Sequence, residues 1–274
     1  MLGGVTTPSN RTALMVAAYR ARATARPDPI CNDGWAAALA GEEGQEIARA
    51  YDAVYPHMEL WVAVRTRFID VQVTRLAMPQ VAILGAGFDT RAARLGGAKF
   101  FEVDQEAVQA SKRQRLPADY PGKPTYVRCD FEREDFLDRL IAEGFDTKTP
   151  ALFVWEGVTP YLSESAVRAT LRRIATGAHP ESVLVFDHLR RKIVSGEVRD
   201  PKDLESRAFV AELGEPLRFG IDYPLPLLYE EGFRKIRSLT FDEICLDFTG
   251  TYERERAFRF QGIVLASSSS RTTL

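Results

Sequence analysis

Gln80-Val-Ala-Ile-Leu-Gly-Ala-Gly-Phe-Asp-Thr-Arg91 is the stretch from which the fold of this 274-residue chain can be read. The apolar run Val81 to Leu84 breaks into Gly85-Ala86-Gly87, and Asp89, Thr90 and Arg91 follow. This is the pattern of a buried parallel strand that turns over a glycine loop into a helix. A second strand-like run, Lys99 to Asp104, closes on an acidic residue. A glycine-rich first turn and a carboxylate ending the second strand are the two halves of a nucleoside site. The glycines admit a ligand to the backbone, and the carboxylate accepts ribose hydroxyls.

The same stretch bears on which nucleoside is held. A dinucleotide fingerprint places Gly or Ala at its third small position, where helix packs on strand; Thr90 stands there instead. Asp89 would repel a pyrophosphate but suits the ammonium or sulfonium of S-adenosylmethionine. These residues favour S-adenosylmethionine over a nicotinamide dinucleotide.

Composition narrows the class. Hydrophobic residues make up 45% of the chain, enough for a sizeable core. With 36 Lys and Arg against 38 Asp and Glu, the net charge of −2 carries no footprint for nucleic acid or an anionic membrane. Cys31, Cys129 and Cys245 lie far apart, with neither a disulfide framework nor metal-ligand spacing, which suits a reducing cytosol. No apolar run is long enough to span a bilayer, and the N-terminus lacks an apolar signal core. The expectation is a soluble cytoplasmic protein without a metal.

Along the chain, residues 1–79 read as an N-terminal helical cap. Met1 to Ser9 is expected to fray, Thr12 to Ala25 to be helical, and Gly34 to Ala53 to form a second helix interrupted near Gly41 and Gly44. From Pro56 to Leu76, the residues Leu60, Val64, Phe68 and Val71 recur at helical spacing as one apolar stripe. Arg65 leaves the edge of that stripe. It either snorkels to water over Trp61 or holds a ligand carboxylate bidentately. Arg67 faces solvent.

Residues 80–266 read as the core. Gln105 to Leu116 forms a short helix carrying Lys112, and a third strand, Thr125 to Asp130, ends in acid followed by Phe131. Strand ends of a doubly wound sheet line the ligand crevice, so Asp130 and Phe131 can hold an adenine. Asp130 can equally cap a helix over Glu132 to Glu143. The fourth strand, Ala151 to Trp155, delivers Glu156 to the crevice, either as a ligand contact or within a structural salt bridge. Ser163 is a good cap for the helix after it. The fifth strand, Ser182 to Asp187, ends at His188. Residues of about 189–228, with Pro216, Pro224 and Pro226, read as a lid insertion. Phe233 to Phe241 and Ala257 to Ala266 complete the strands, and the serine-rich tail 267–274 is expected to be disordered.

Several of these segments together resemble the leucine carboxyl methyltransferase family, in its bacterial branch of S-adenosylmethionine-dependent methyltransferases. They are Ala63-Val-Arg-Thr-Arg-Phe-Ile-Asp70, Ile83 to Arg91, Phe101-Glu-Val-Asp104 with Lys112, Arg128-Cys-Asp130, and Trp155-Glu-Gly-Val-Thr-Pro-Tyr-Leu162. The likeness covers roughly residues 10 to 190. It implies an α/β fold of class I methyltransferase (Rossmann-like) type, a doubly wound sheet of seven strands with the last antiparallel. It also implies site roles: Arg65 on the methionine carboxylate, the Gly85, Ala86 and Gly87 loop beneath the amino-acid moiety, and Asp89 beside it. Asp104 would hold the ribose, Asp130 and Phe131 the adenine, and Glu156 the amino group. The N-terminal basic residue that touches the cofactor in eukaryotic relatives has no clear equivalent; Arg20 stands nearest.

The expected chemistry is O-methyl transfer to a carboxylate or hydroxyl of a small-molecule acceptor. A carboxylate is ionised at neutral pH and needs no base. A hydroxyl does need one, and His188 is the only histidine of three that ends a strand at the crevice. The rival readings are a non-catalytic S-adenosylmethionine binder and an NAD-dependent oxidoreductase. The latter is disfavoured by Thr90, by Asp89 and by the lack of a Tyr-x-x-x-Lys pair.

Overall fold

The structure, a computed structural model, describes residues 9–251 and 260–274. Of the fraying expected over Met1 to Ser9, residues 1–8 lie outside them and Ser9 instead opens a helix; the start of the strand expected from Ala257 also lies outside. Seven strands build one sheet: β1 (Gln80–Leu84), β2 (Lys99–Asp104), β3 (Thr125–Arg128), β4 (Ala151–Trp155), β5 (Val183–Leu189), β6 (Lys235–Thr240) and β7 (Gln261–Ser267). Their order is β3-β2-β1-β4-β5-β7-β6. The first five are mutually parallel, and β7 enters antiparallel between β5 and β6. All five residues of β1 are buried, as a central strand covered on both faces requires. The chain reverses its direction of strand addition between β1 and β4, so a crevice opens beyond their carboxyl ends.

Period-two alternation divides the apolar residues between two cores. Val81, Ile83, Leu152 and Val185 point to one face, which is covered by α1 (Ser9–Thr24), α2 (Ala36–Asp52), α3 (Met58–Leu76) and α11 (Phe241–Thr249). Leu84, Phe153, Trp155 and Phe186 point to the other, beneath α6 (Phe136–Ala142), α7 (Glu164–Gly177) and α10 (Pro224–Glu230). The cap helices therefore share the first core with the strands. In α2 the backbone departs from helical values at Gly41. Gly44 remains helical and lets α1 approach, since a Cβ there would lie 2.6 Å from the Leu14 carbonyl oxygen.

Three expectations change in the structure. The stripe on α3 is wider than Leu60, Val64, Phe68 and Val71: Leu60 and Val71 are only half-buried, while Trp61 to Thr66 are buried without interruption. The cause is that α3 is covered by α1 and α11 as well as by the sheet. Only Arg67 among residues 61–70 is exposed. The helix expected over Glu132 to Glu143 begins at Phe136 and is capped by Asp135, whose side chain accepts from Leu137 N and Asp138 N. Asp130 instead closes a turn by accepting from Glu132 N. The tail 267–274 is tied down: Ser269 N and Ser267 Oγ both donate to the Pro180 carbonyl, and Ser267 Oγ meets Thr272 Oγ1 at 2.9 Å. A backbone N–H and serine hydroxyls of the tail together satisfy that carbonyl.

The insertion after β5 is two structures rather than one lid. α8 (Arg191–Ser195), α9 (Pro201–Glu212) and the turn after α9 lie on the cap side, where Val210 and Leu213 join the first core. From Phe219 onward the chain joins the second core through Phe219, Ile221, Leu227 and Leu228. The crossing is pinned where Arg218 N and Phe219 N donate to the Pro160 carbonyl and Ile221 N to that of Leu189.

Candidate active site

The loop after β1 is held open by its own backbone and by two cations. Gly85 N and Ala86 N donate to the Val103 carbonyl at 2.8 and 3.1 Å, and Gly87 N donates to Asp104 Oδ2 at 2.6 Å. Gly85 has φ +67°, and a Cβ on it would meet Val158 Cγ2 at 2.3 Å, so both conformation and space demand glycine. Arg20 Nη2 takes the Phe88 carbonyl at 2.6 Å, and Lys112 Nζ takes that of Asp89. Lys112 itself is fully buried on α5 (Glu106–Arg115), paired with Glu102 at 2.5 Å.

Around this loop a cavity of about 430 Å³ opens at the carboxyl edge of the sheet. Its walls bring together Arg65, Gly85, Ala86, Gly87, Asp89, Asp104, Asp130, Phe131 and Glu156. These come from five separate segments of sequence. Asp104 ends β2 with Oδ1 on Gln105 N and Oδ2 on Gly87 N, and burial raises its pKa to about 6. The Phe131 ring is braced against Phe136 and Trp155, with centroids 6.0 and 6.4 Å away.

His188 does not join them. Strand alternation sends Asp187 and Leu189 toward the cap, whereas His188 lies with Phe186 on the opposite face, opposite Gly262 of β7. It is buried, burial lowers its pKa, and it lines neither this cavity nor the neighbouring one. The general-base role open to it from sequence therefore falls away. Strand β5 runs two residues past the acid that looked like its end.

Arg65 is 4% exposed, so it does not snorkel to water. Its guanidinium lies 5.3 Å from the Trp61 ring centroid, with Nε on Glu156 at 2.9 Å and Nη1 on Asp187 at 2.7 Å. It lies along the Trp61 face, as the snorkelling reading has it, but its head stays out of water at the wall of the cavity.

A larger ionic chain, illegible in the sequence, continues from it. Glu156 also binds Arg91 at 2.8 Å, Arg91 binds Asp89 and Asp70, Asp70 binds Arg94 at 2.5 Å, and Arg20 binds Asp33 at 2.8 Å. Arg94 lies 3.8 Å from Asp33, which links the two ends. Burial alone would raise the pKa of Glu156, but Arg91, Arg65 and Arg20 outweigh it and hold it at about 2. Thr90, the residue that breaks the dinucleotide fingerprint, accepts Arg94 Nε at 2.8 Å. Asp89 is committed to Arg91 through both carboxylate oxygens. The four arginines (20, 65, 91, 94) and five carboxylates (33, 70, 89, 156, 187) leave this network one formal negative charge, 4 − 5, and Asp104 and Asp130 add to it in the cavity wall.

Among the described residues no helix is long and apolar enough to cross a membrane, and no cluster of three or more His, Cys, Asp or Glu could hold a metal.

Comparison with known proteins bears on the family and the fold. A model of the leucine carboxyl methyltransferase family matches residues 13–175. A proposed S-adenosyl-L-methionine-dependent methyltransferase of Mycolicibacterium vanbaalenii is 33% identical over 247 residues, covering 81% of this chain and 77% of its own length. A solved structure of a proposed methyltransferase from Thermobifida fusca superposes with a TM-score of 0.66 at 13% identity, covering 98% of each chain. Human N-acetylserotonin methyltransferase in complex with S-adenosylmethionine superposes at 0.50 and 14% identity, covering 97% of this chain and 72% of that one.

Proposed function

The chain belongs to the leucine carboxyl methyltransferase family and is an S-adenosylmethionine-dependent methyltransferase, and from that premise we propose that it methylates a carboxylate oxygen of a small-molecule acceptor. Bound in the larger cavity, the cofactor supplies a methyl group on a positively charged sulfonium. The residues there suit it. Asp104 would accept the ribose hydroxyls, and Asp130 and Phe131 would hold the adenine. Glu156 would face the ammonium. Arg65, whose Nη2 makes no hydrogen bond among the described residues, would take the methionine carboxylate, with Arg20 behind the loop. Asp89 contributes through Arg91 rather than by contact.

The observation that carries the choice of acceptor is the lack of a histidine base; of the acids in the smaller cavity only Asp203 makes no ion pair with an arginine among the described residues. No histidine lines either cavity among the described residues, and Glu156 and Asp187 are committed to arginines. Glu215, raised to about 7 by burial, lines only the larger cavity. An acceptor that is already ionised fits such a site, because positioning and exclusion of water then carry the rate. The test is incubation with methyl-labelled S-adenosylmethionine and an extract of small metabolites. Label released as methanol in mild alkali, as from an ester, is the expected result; label stable to alkali on nitrogen, carbon or an ether oxygen contradicts it.

A further inference from the structure

Behind the cofactor cavity lies a second, smaller chamber of about 120 Å³. The two share Thr12, Val16, Arg65, Gly157 and Tyr161 as walls. Residues assigned to the adenosine half, Asp104, Asp130 and Phe131, touch only the larger cavity; Arg65, assigned to the methionine half, touches both. The reactive end of a bound cofactor is its methionine half, so the second chamber lies on the side where the methyl group is presented.

Much of this chamber's wall is aromatic or apolar, with Asp187, Asp203 and Arg207 among the charged residues beside Arg65. Tyr51, Tyr55 and Trp61 come from the cap, Tyr161 from the turn after β4, and Val210 and Leu217 from the segment around α9. The Tyr51 hydroxyl meets Ser206 Oγ at 2.5 Å, which ties α2 to α9 across one end of the chamber. Cavities of about 150 Å³ lined by apolar side chains accept benzene, so this one has the size of a single ring. At the shared wall, Arg65 Nη2 carries two N–H groups that make no hydrogen bond among the described residues, so that one can take the methionine carboxylate and the other an acceptor, and the buried Tyr161 phenol is a second hydrogen-bond donor.

We propose that this second chamber is the acceptor site and that it selects a one-ring aromatic carboxylate, with the ring among Tyr51, Tyr55 and Trp61 and the carboxylate at the shared wall. Aromatic rings prefer offset or edge-to-face contact with such walls, and a carboxylate taken from water there finds a guanidinium and a phenol rather than nothing. The acceptor oxygen forms the new bond to the methyl carbon, the carbon–sulfur bond breaks, and sulfur keeps that electron pair. Anion and sulfonium become ester and thioether with no proton moved. This explains why the chamber needs no histidine.

The inference rests on the reading of the larger cavity as the cofactor site, and its test separates the two. Binding of S-adenosylhomocysteine is measured first by calorimetry on the full chain. Benzoate, phenol and hexanoate are then titrated into the saturated complex and followed by NMR. Ser206→Trp and Ile193→Trp fill the second chamber from half-buried positions that do not touch the first. Expected are tighter binding of benzoate than of either other probe, and a loss of about tenfold or more in both variants, within the range one pocket group commonly commands. Affinity for S-adenosylhomocysteine should stay unchanged, which also reports that each variant is folded. If S-adenosylhomocysteine binds but benzoate does not, or binds equally well in a folded variant, or is bettered by phenol or hexanoate, the acceptor inference is overturned. If S-adenosylhomocysteine itself fails to bind the parent, the cofactor reading falls first.

Discussion

Arg65 shows how one side chain can serve two ends. It is buried on Trp61, spans Glu156 and Asp187, and keeps one nitrogen free at the wall between two cavities. A planar fork does this; an ammonium on a flexible stem reaches one carboxylate at a time. Arg65→Lys should therefore weaken binding of S-adenosylhomocysteine and lower stability together, because one buried carboxylate is left unpaired. Breaking a buried ion pair commonly costs about 3–5 kcal/mol, and retained positive charge should spare part of that. Urea denaturation and calorimetry of the variant decide this; parental values in both would remove Arg65 from the site and from the network. The sequence placed Arg65 at the edge of an apolar stripe and left its role open between two readings. The partners that decide it, Glu156 and Asp187, lie 91 and 122 residues away, and no local pattern encodes such pairs.

Elements were legible where their signal was local. The glycine loop, the acid ending β2, the Ser163 cap and the buried strand β1 each follow from a few adjacent residues, and the sheet follows from their order. His188 was misplaced because the phase of a strand decides its face, and the end of β5 is set by pairing with β7 rather than by the residues of β5. The insertion after β5 was read as one lid because its proline-rich sequence does not reveal which core each apolar residue enters. The contact of α1 with α2 was half-visible: Gly44 marked an interruption, yet its role is close approach and not a kink. Gly44→Ala should push the Leu14 backbone away. The overpacking cost, typically about 1–3 kcal/mol, should exceed the roughly 1 kcal/mol that alanine gains in a helix. A thermal melt at or above the parental midpoint would show that α1 yields freely.

At the scale of the molecule, two cores, a cap and a pinned crossing converge on a site that holds several charges out of water. Its acids titrate in opposite senses. Glu156 and Asp33 are held down by arginines, so their contribution to stability is present above the usual carboxylate range and is lost only in strong acid. Glu215, raised to about 7, binds its proton more tightly in the folded than in the unfolded chain. Its contribution is therefore full below the unfolded value and fades as pH rises through about 7. His188, whose pKa burial lowers, works the other way as pH falls through its usual value, so a comparison of two proteins isolates Glu215. The stability of the parent relative to Glu215→Gln should rise as pH is lowered from 8 to 5; a difference independent of pH would mean the carboxyl is not perturbed. The cofactor cavity itself is tested most directly by calorimetric titration with S-adenosylhomocysteine, parent against Asp104→Ala. One site per chain is expected, with no heat from NAD. The variant should bind more weakly by about 1–3 kcal/mol, the cost of leaving hydrogen-bonded partners unmet. Binding of equal strength in the variant, or saturable binding of NAD to the parent, would contradict the account.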